Sequence, residues 1–342
     1  MGVDLRQLVT ANRVRLDDLA GRTIAIDAYN ALYQFLSIIR GKRGEPLMDR
    51  HGRVTSHLSG LLYRTSNLVG RGIRVIYIFD GRPPALKEVE IKRRMEARTE
   101  ALVRYEEARR RGDVEEARRY AQRAAVLKDY MAKDAKRLLS LMGVPWVQAP
   151  SEGEAQAAYM VSRGDAWAAG SQDFDALLFG ADRLVRNLSI TGRRKLPRKK
   201  LYVKIMPEVI EMSRVLSELG ITREQLVDVG ILVGTDFNPT GVRGIGPKTA
   251  LKLIRKYGSL EDLLPHLKDA RFPVPPARIR EVFLRPKVLT DYTVRWRRPL
   301  VDEIVGFLCE ERDFSEERVR KAIGKMERGM EAMVSTLESF MS

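Results

Sequence analysis

The sequence predicts an α/β fold with a mostly parallel central sheet flanked by helices, and three observations carry that reading. Two runs, Thr23-Ile24-Ala25-Ile26-Asp27 and Val75-Ile76-Tyr77-Ile78-Phe79-Asp80, are continuous, apolar and β-branched, as strands buried on both faces are. A helix-like stretch, Ser56 to Val69, lies between them, and strands that alternate with helices build parallel sheets. Each run ends on an acid, where such sheets gather their ligands.

Taken in order, residues 23–28 and 73–79 are the first two strands, and Gly41 to Pro46 is a loop ahead of the intervening helix. From about Lys87 to Leu141 the chain is dense in Arg and Glu, lacks Pro and breaks once, at Gly112-Asp113. Its apolar positions sustain no a/d heptad, so it reads as two helices, basic on one face. Further strands are expected at Ala166–Gly170, Leu184–Leu188 and Leu201–Ile205. From Pro207 to Leu267 the pattern is mostly helical, and Thr222 with Gln225 forms a capping box that opens a helix to Val233. Prolines 265, 273, 275 and 276 interrupt it. Helix returns near Ala277–Phe283 and Ser315–Met326, and residues 330–342 read as a loose tail. There is no internal repeat. The expected organisation is a single domain over 1–342, made of regions 1–86, 87–141, 142–236, 237–329 and 330–342.

Composition narrows the function. A formal net charge of +16 and a pI near 10 predict salt-sensitive attraction to phosphate-rich polymers. The single cysteine, Cys309, excludes an intrachain disulfide, and three His without zinc spacing exclude a zinc site. No stretch has the apolar length of a membrane span, and no signal-peptide pattern opens the chain. Met1-Gly2 is not a myristoylation start, because Arg6 stands where Ser or Thr is needed. An intracellular protein is expected. Abundant Arg and Glu with few Asn, Gln and Cys fit a thermophile.

Within this basic chain seven carboxylates stand out: Asp27, Asp80, Glu152, Glu154, Asp173, Asp175 and Asp236. Two end buried strands and four form close pairs. Magnesium takes oxygen ligands and retains waters, so each ion needs few carboxylates. Two ions about 4 Å apart can hold both the attacking and the leaving oxygen of a phosphodiester. Singly, most of these acids read better as a helix cap or surface charge, and Ser151 with Glu154 is a candidate capping box. Together they point to a hard-cation site facing a polyanion.

A second motif is Gly241-Val242-Arg243-Gly244-Ile245-Gly246-Pro247-Lys248-Thr249-Ala250, ahead of an amphipathic helix from Leu251 to Tyr257. It is not a P-loop, since Pro247 separates Gly246 from Lys248 and no strand precedes it. It reads as a helix–hairpin–helix, with glycine amides open to a phosphate, Pro247 at the first helical position and Lys248, Lys252 and Arg255 nearby. An ordinary interhelix turn is the plain alternative.

Six ordered motifs resemble the flap endonucleases of the structure-specific 5′ nuclease superfamily, in their archaeal form. They are Met1-Gly2-Val3, Ile26-Asp27-Ala28, Phe79-Asp80-Gly81-Arg82-Pro83-Pro84, Glu152-Gly153-Glu154-Ala155, Ser171-Gln172-Asp173-Phe174-Asp175, and Gly234-Thr235-Asp236-Phe237 before the glycine loop. The match spans nearly the whole chain. It implies a PIN-like 5′ nuclease fold with a helical arch over 87–141 and hydrolysis near the base of a 5′ DNA flap. Asp27, Asp80, Glu152 and Glu154 would mainly serve one magnesium, and Asp173, Asp175 and Asp236 the other, with manganese able to substitute. Lys87 and Arg94 match basic gateway residues; seven residues of helix, roughly 10 Å, would turn them the same way. Tyr33 matches an aromatic that stacks on a nucleobase, with a core tyrosine as the alternative, and Gly2 matches a position whose amino end lies near the site. The glycine loop matches an element that holds duplex and a potassium ion, placed near Gly244 and Gly246.

The basic run Arg193 to Lys200 reads as a solvated turn or phosphate contact. In the tail, Leu337 and Phe340 match a motif that binds the replication sliding clamp (PCNA), although Val334 replaces its Gln and Met341 its second aromatic. The resemblance further implies a monomer in the cytoplasm and nucleoid of an archaeon, acting in Okazaki-fragment maturation and long-patch repair with some 5′-3′ exonuclease activity. Two other readings stay open: a related exonuclease or junction nuclease, and a non-catalytic junction-binding scaffold. The short segment between Asp80 and Glu152 weighs against relatives with a long insertion there, and the full set of acids weighs against a pure binder.

Overall fold

The computed structural model describes residues 2–341 apart from 42–43, 190–191, 196–201 and 268–269; side chains of 192–195, 202–204 and 334–341 are outside the description. Nine strands, β1 (Asn12–Arg13), β2 (Thr23–Asp27), β3 (Arg74–Phe79), β4 (Trp146–Gln148), β5 (Ala168–Gly170), β6 (Arg183–Arg186), β7 (Gly192–Lys195), β8 (Tyr202–Ile205) and β9 (Glu208–Glu211), form two sheets. The main sheet has the order β1-β9-β6-β5-β2-β3-β4. Five neighbouring strands, β6-β5-β2-β3-β4, are parallel, and β9 and β1 close the other edge antiparallel. The mostly parallel sheet is therefore as the sequence implies.

Alternation along each strand divides the core. Ile24 and Ile26 of β2, with Val75, Tyr77 and Phe79 of β3, pack into one layer beneath the helices Ala28–Ile38, Ser56–Val69 and Asp129–Leu141. Ala25, Ile76 and Ile78 point the other way, against Gly153–Ser162 and Arg223–Val233. Burial of each large side chain is worth about 1.5–3 kcal/mol, so residues 75–79, all buried, anchor the sheet. The Tyr77 hydroxyl is satisfied in the core by that of Thr65, at 2.9 Å. The chain runs β2-β3-β4 outward on one side, then returns to place β5 on the other flank of β2. That reversal opens a crevice at the carboxyl ends of the strands.

Several elements depart from expectation. The 87–141 stretch holds three helices, not two: Glu88–Arg110, Val114–Arg123 and Asp129–Leu141. The Gly112 break is real, with φ +73°. The second break, over 124–128, has no Gly or Pro to announce it; the third helix starts there because Met131, Ala135, Leu138 and Leu139 are buried in the core. Strand β9 lies inside the stretch expected to be helical and completes the sheet edge. Strand β8 pairs only with β7, apart from the main sheet. The last helix runs Glu316–Met341 rather than stopping near Met326, because Val319, Ile323, Met326, Met330 and Met333 continue one apolar face against the core.

Candidate active site

The acids meet at the crevice, each brought there by a local device. Asp27 ends β2 and caps the next helix, accepting the Asn30 amide at 2.9 Å. The Asn30 side chain reaches on to donate to Asp173 at 3.2 Å. Asp80 follows β3 and accepts the Gly153 amide at 2.6 Å. A Cβ on Gly153 would lie 2.6 Å from that same carboxylate oxygen, which is why glycine stands between the two glutamates. The capping box expected from Ser151 and Glu154 is absent: Glu152 is the N-cap of Gly153–Ser162, without a side-chain cap bond. Both glutamates are thereby released from capping.

The first residues of the chain also enter the site. The Val3 amide donates to Asp175 at 2.7 Å, and a Cβ on Gly2 would sit 2.5 Å from the Asp175 carboxyl. Val3 and Leu5 are buried and hold the segment there. Asp236 comes from the turn after Arg223–Val233 and completes the set.

This crowding shows in the electrostatics. Burial, reinforced by Glu152, pushes Asp80 up to about 6. Burial, reinforced by Asp236 and Asp173, pushes Asp175 up to about 8. Asp27 and Glu154 are driven upward by burial and then by Asp80 and Asp175 respectively. Asp173 also rises through burial. Asp236 alone goes down, because Lys87 and Arg94 outweigh its burial. Glu154 Oε1 is buried with no hydrogen-bond partner.

An all-oxygen donor set, mutually repelling and with an orphaned oxygen, fits hard divalent cations. Among the described residues, no three acids, His or Cys form a ready-made ion-holding group. Oxygen-liganded ions that keep several waters do not need one.

Two cations line the same crevice. Lys87 sits in the turn Ala85–Lys87, just before the helix that carries Arg94, not on that helix. Its ammonium lies 2.5 Å from Glu152 and 3.0 Å from Asp236, and these anions keep it charged against its burial. Arg94 bonds Asp236 at 2.5 Å and Glu90 at 2.7 Å. Glu90, almost fully buried, also pairs with Arg93 at 2.6 Å. In the sequence Glu90 is one more glutamate of a charged helix; its only signal is the i, i+4 spacing to Arg94. Tyr33 is half-buried rather than a core residue, and the Arg98 guanidinium lies 4.7 Å from its ring centroid.

The glycine loop stands apart from the acids. Gly241 (φ +56°) packs where a Cβ would strike the Val233 carbonyl at 2.3 Å, and Gly244 has φ +81°. Gly246 is the N-cap and Pro247 the first residue of the helix Pro247–Tyr257, as expected. Around Gly244 and Gly246 the space is open, and Lys248 and Lys252 are exposed. Arg255 is otherwise engaged, donating its Nε to the Leu219 carbonyl at 2.8 Å, so it ties helices together. The side chains of Arg193 to Lys200, and of Leu337 and Phe340, lie outside the described residues.

Comparison with known proteins agrees with this geometry. The XPG N-terminal domain matches residues 1–101 and the XPG I-region residues 143–236, which together contain all seven acids. Flap endonuclease 1 of Hyperthermus butylicus is 57% identical over 331 residues, 96% of this chain and 95% of that protein. The Pyrococcus abyssi protein of the same name is 53% identical over 341 residues, covering 99% and 98%. The solved structure of flap endonuclease-1 from Methanococcus jannaschii superposes with a TM-score of 0.77 at 42% identity, covering 98% of this chain and all of that one. The catalytic core of Rad2 in complex with DNA shares the fold, with a TM-score of 0.71 at 23% identity over 95% of this chain and all of that one. The fold is that of an XPG-type nuclease. The chain belongs to the flap endonuclease family.

Proposed function

We propose that this chain hydrolyses a phosphodiester near the base of 5′ DNA flaps, in Okazaki-fragment maturation and long-patch repair, with 5′-3′ exonuclease activity besides. The observation that carries the reading is the contact of Lys87 with both Glu152 and Asp236. It sets a charged ammonium over the acids, where a phosphate must come.

Magnesium, or manganese in its place, would be held mainly by Asp27, Asp80, Glu152 and Glu154 for one ion and by Asp173, Asp175 and Asp236 for the other. When bound, such ions supply Lewis-acid activation of water and phosphate. The chain's own groups do the rest. Lys87 and Arg94 leave their carboxylates for the scissile phosphate and neutralise the charge that grows on it. Glu90 holds Arg94 in position. Tyr33 offers its ring to the base beside the cleaved bond, which takes the place of the Arg98 guanidinium over it. The Val3 amide fixes Asp175, while the Gly2 backbone bonds Asp173. Lys248 and Lys252, with the open amides around Gly244 and Gly246, take the duplex backbone, and a potassium ion bound by loop carbonyls would sit there.

The helices Glu88–Arg110 and Val114–Arg123 correspond to the arch, within a single nuclease domain that works as a monomer in the cytoplasm and nucleoid of an archaeon. No helix among the described residues is long and apolar enough to cross a membrane. Leu337 and Phe340 would anchor the sliding clamp; a clamp pull-down undiminished by Phe340→Ala would count against that.

The test is single-turnover cleavage of a 5′-labelled double-flap DNA beside a blunt duplex, with magnesium. Fast incision at the flap base with little on duplex is expected. Preference for the blunt end would favour the exonuclease reading, and tight binding without product the scaffold.

A further inference from the structure

The acids occupy the carboxyl ends of the strands, yet a second set of charges lines the opposite rim. Arg22, Arg74, Trp167 and Arg183 sit side by side at the amino ends of β2, β3, β5 and β6. The Arg74 amide bonds the Arg22 carbonyl at 2.9 Å, the Trp167 amide bonds Thr23 at 2.7 Å, and Ala169 pairs with Leu184, next to Arg183. The Arg22 and Arg183 guanidiniums lie 5.1 and 5.4 Å from the Trp167 ring centroid.

An extended strap over 285–300 continues the row. It is fixed by both backbone groups of Leu289 to the Gln156 side chain (2.7 and 2.9 Å), by Trp296 Nε1 to the Val75 carbonyl (3.1 Å) and by the Arg297 amide to Gly143 (2.9 Å). Arg74 lies 6.0 Å from the Trp296 centroid. Val288, Tyr292, Val294 and Trp296 turn toward the core, so Arg295, Arg297 and Arg298 are left exposed. Across five strands the rim spans about 19 Å.

Among the described residues, none of Arg22, Arg74, Arg183, Arg295, Arg297 and Arg298 makes an ion pair. The rim does hold acids. Asp165 is engaged by the Tyr292 hydroxyl and Asp17 by Arg71, while Asp182 and Asp291 are exposed. Glu211 lies opposite Arg183 in the β6–β9 register, and the six arginines still outnumber these acids.

We propose that this amino-terminal rim is a second duplex-DNA-binding surface, separate from the active site by the length of the sheet. Arginine stacked on an indole is pre-organised, with its N–H edge directed outward, and loses little freedom on meeting a phosphate. Trp167 has a guanidinium from each of two arginines beside it, and Trp296 packs on the core with its Nε1 bonded to the Val75 carbonyl, so neither indole is presented to a base. That favours the phosphate backbone of a duplex over a single strand, which binds by base stacking. A chain with both surfaces occupied holds two duplex segments at once. The inference does not depend on the cleavage chemistry proposed above.

The test uses the full chain with its active site engaged by saturating flap DNA in EDTA, then titrated with a fluorescent blunt duplex. A second duplex should bind, with an affinity that falls steeply with salt. In R22E/R297E/R298E that affinity should drop about tenfold or more, with a salt slope shallower by about three. The matching Lys substitutions should retain most of it. Single-turnover flap cleavage should be unchanged in both variants. Absence of a second bound duplex, or equal second-site affinity in the charge-reversed chain, would overturn the proposal. If charge reversal prevents folding, R297Q/R298Q serves instead, and undiminished affinity there would overturn it equally. A wild-type chain that binds a second duplex but cuts no flap would sink the cleavage reading alone.

Discussion

Lys87 lies 2.5 Å from Glu152, a contact between a turn that precedes the arch and the N-cap of a core helix. Both side chains are largely buried, so the pair sits in a low dielectric where its charge acts strongly on a neighbouring phosphate. Lys87→Ala should therefore slow single-turnover flap cleavage by about 10²–10³-fold with only modest loss of flap affinity, because the ammonium acts on the transition state. A large binding defect with an unchanged rate would contradict this role.

Glu90 acts on Arg94 and not on substrate. Glu90→Gln keeps the shape but gives up the charge that holds the guanidinium. Cleavage should slow while Arg94→Lys in the Glu90→Gln background costs less than it does alone, since the two residues act as one unit. Additive losses in single-turnover rate would show them to be independent.

Gly2 packs against Asp175 with no room for a methyl group. Gly2→Ala should displace the carboxylate or the leading segment and lower the cleavage rate, while flap affinity and melting temperature stay close to those of the parent. A rate equal to the parent's would contradict the close approach.

The acid cluster is a source of strain without cations. Asp175→Asn removes one charge while its side-chain oxygen can still accept the Val3 amide, so it should raise the melting temperature in EDTA. Calcium should raise the melting temperature of the parent more than that of the variant, by linkage to binding. Scanning calorimetry that finds no calcium response would argue against a cation site.

His57 gives a pH dependence of the opposite kind. It is fully buried, neither ring nitrogen has a hydrogen-bond partner, and burial, with Arg312 nearby, lowers it to about 3. The unfolded chain therefore binds a proton below pH 6.5 that the folded chain refuses. The stability is intact above pH 6.5 and is lost as pH falls toward 3, by about 1.4 kcal/mol per unit. The raised acids drift the other way, so the readout is the difference between parent and His57→Phe in chemical unfolding. The variant should lose less stability between pH 7 and pH 5, by about 2 kcal/mol; parallel profiles would refute the assignment.

Much of this was legible in the sequence because β2 and β3 are buried on both faces and announce themselves as apolar runs. The helix Ser56–Val69 and the Thr222–Gln225 capping box also lie where the pattern sets them. Strand β5 was legible too, expected over Ala166–Gly170 and found at Ala168–Gly170. It consists of Ala168, Ala169 and Gly170, small because a Cβ on Gly170 would come within 3.0 Å of Ile24. Strand β9 and the break at 124–128 follow from tertiary pairing and carry no local turn chemistry. Six of the acids were visible because they end strands or come in pairs, and Asp236 through the motif Gly234-Thr235-Asp236-Phe237. Glu90 and Asn30 were not, and the Met1-Gly2-Val3 motif placed the leading segment near the site without showing the Val3 amide on Asp175, a contact between segments distant in the chain. Lys87 was legible as a residue but not in its setting, because the helix begins one residue after it.

The central claim is that the seven acids form the hydrolytic centre, and the most direct test is single-turnover cleavage by Asp80→Ala on double-flap DNA, with flap binding measured in calcium. Cleavage should be abolished while binding is retained. Cleavage at the parent's rate would contradict the claim.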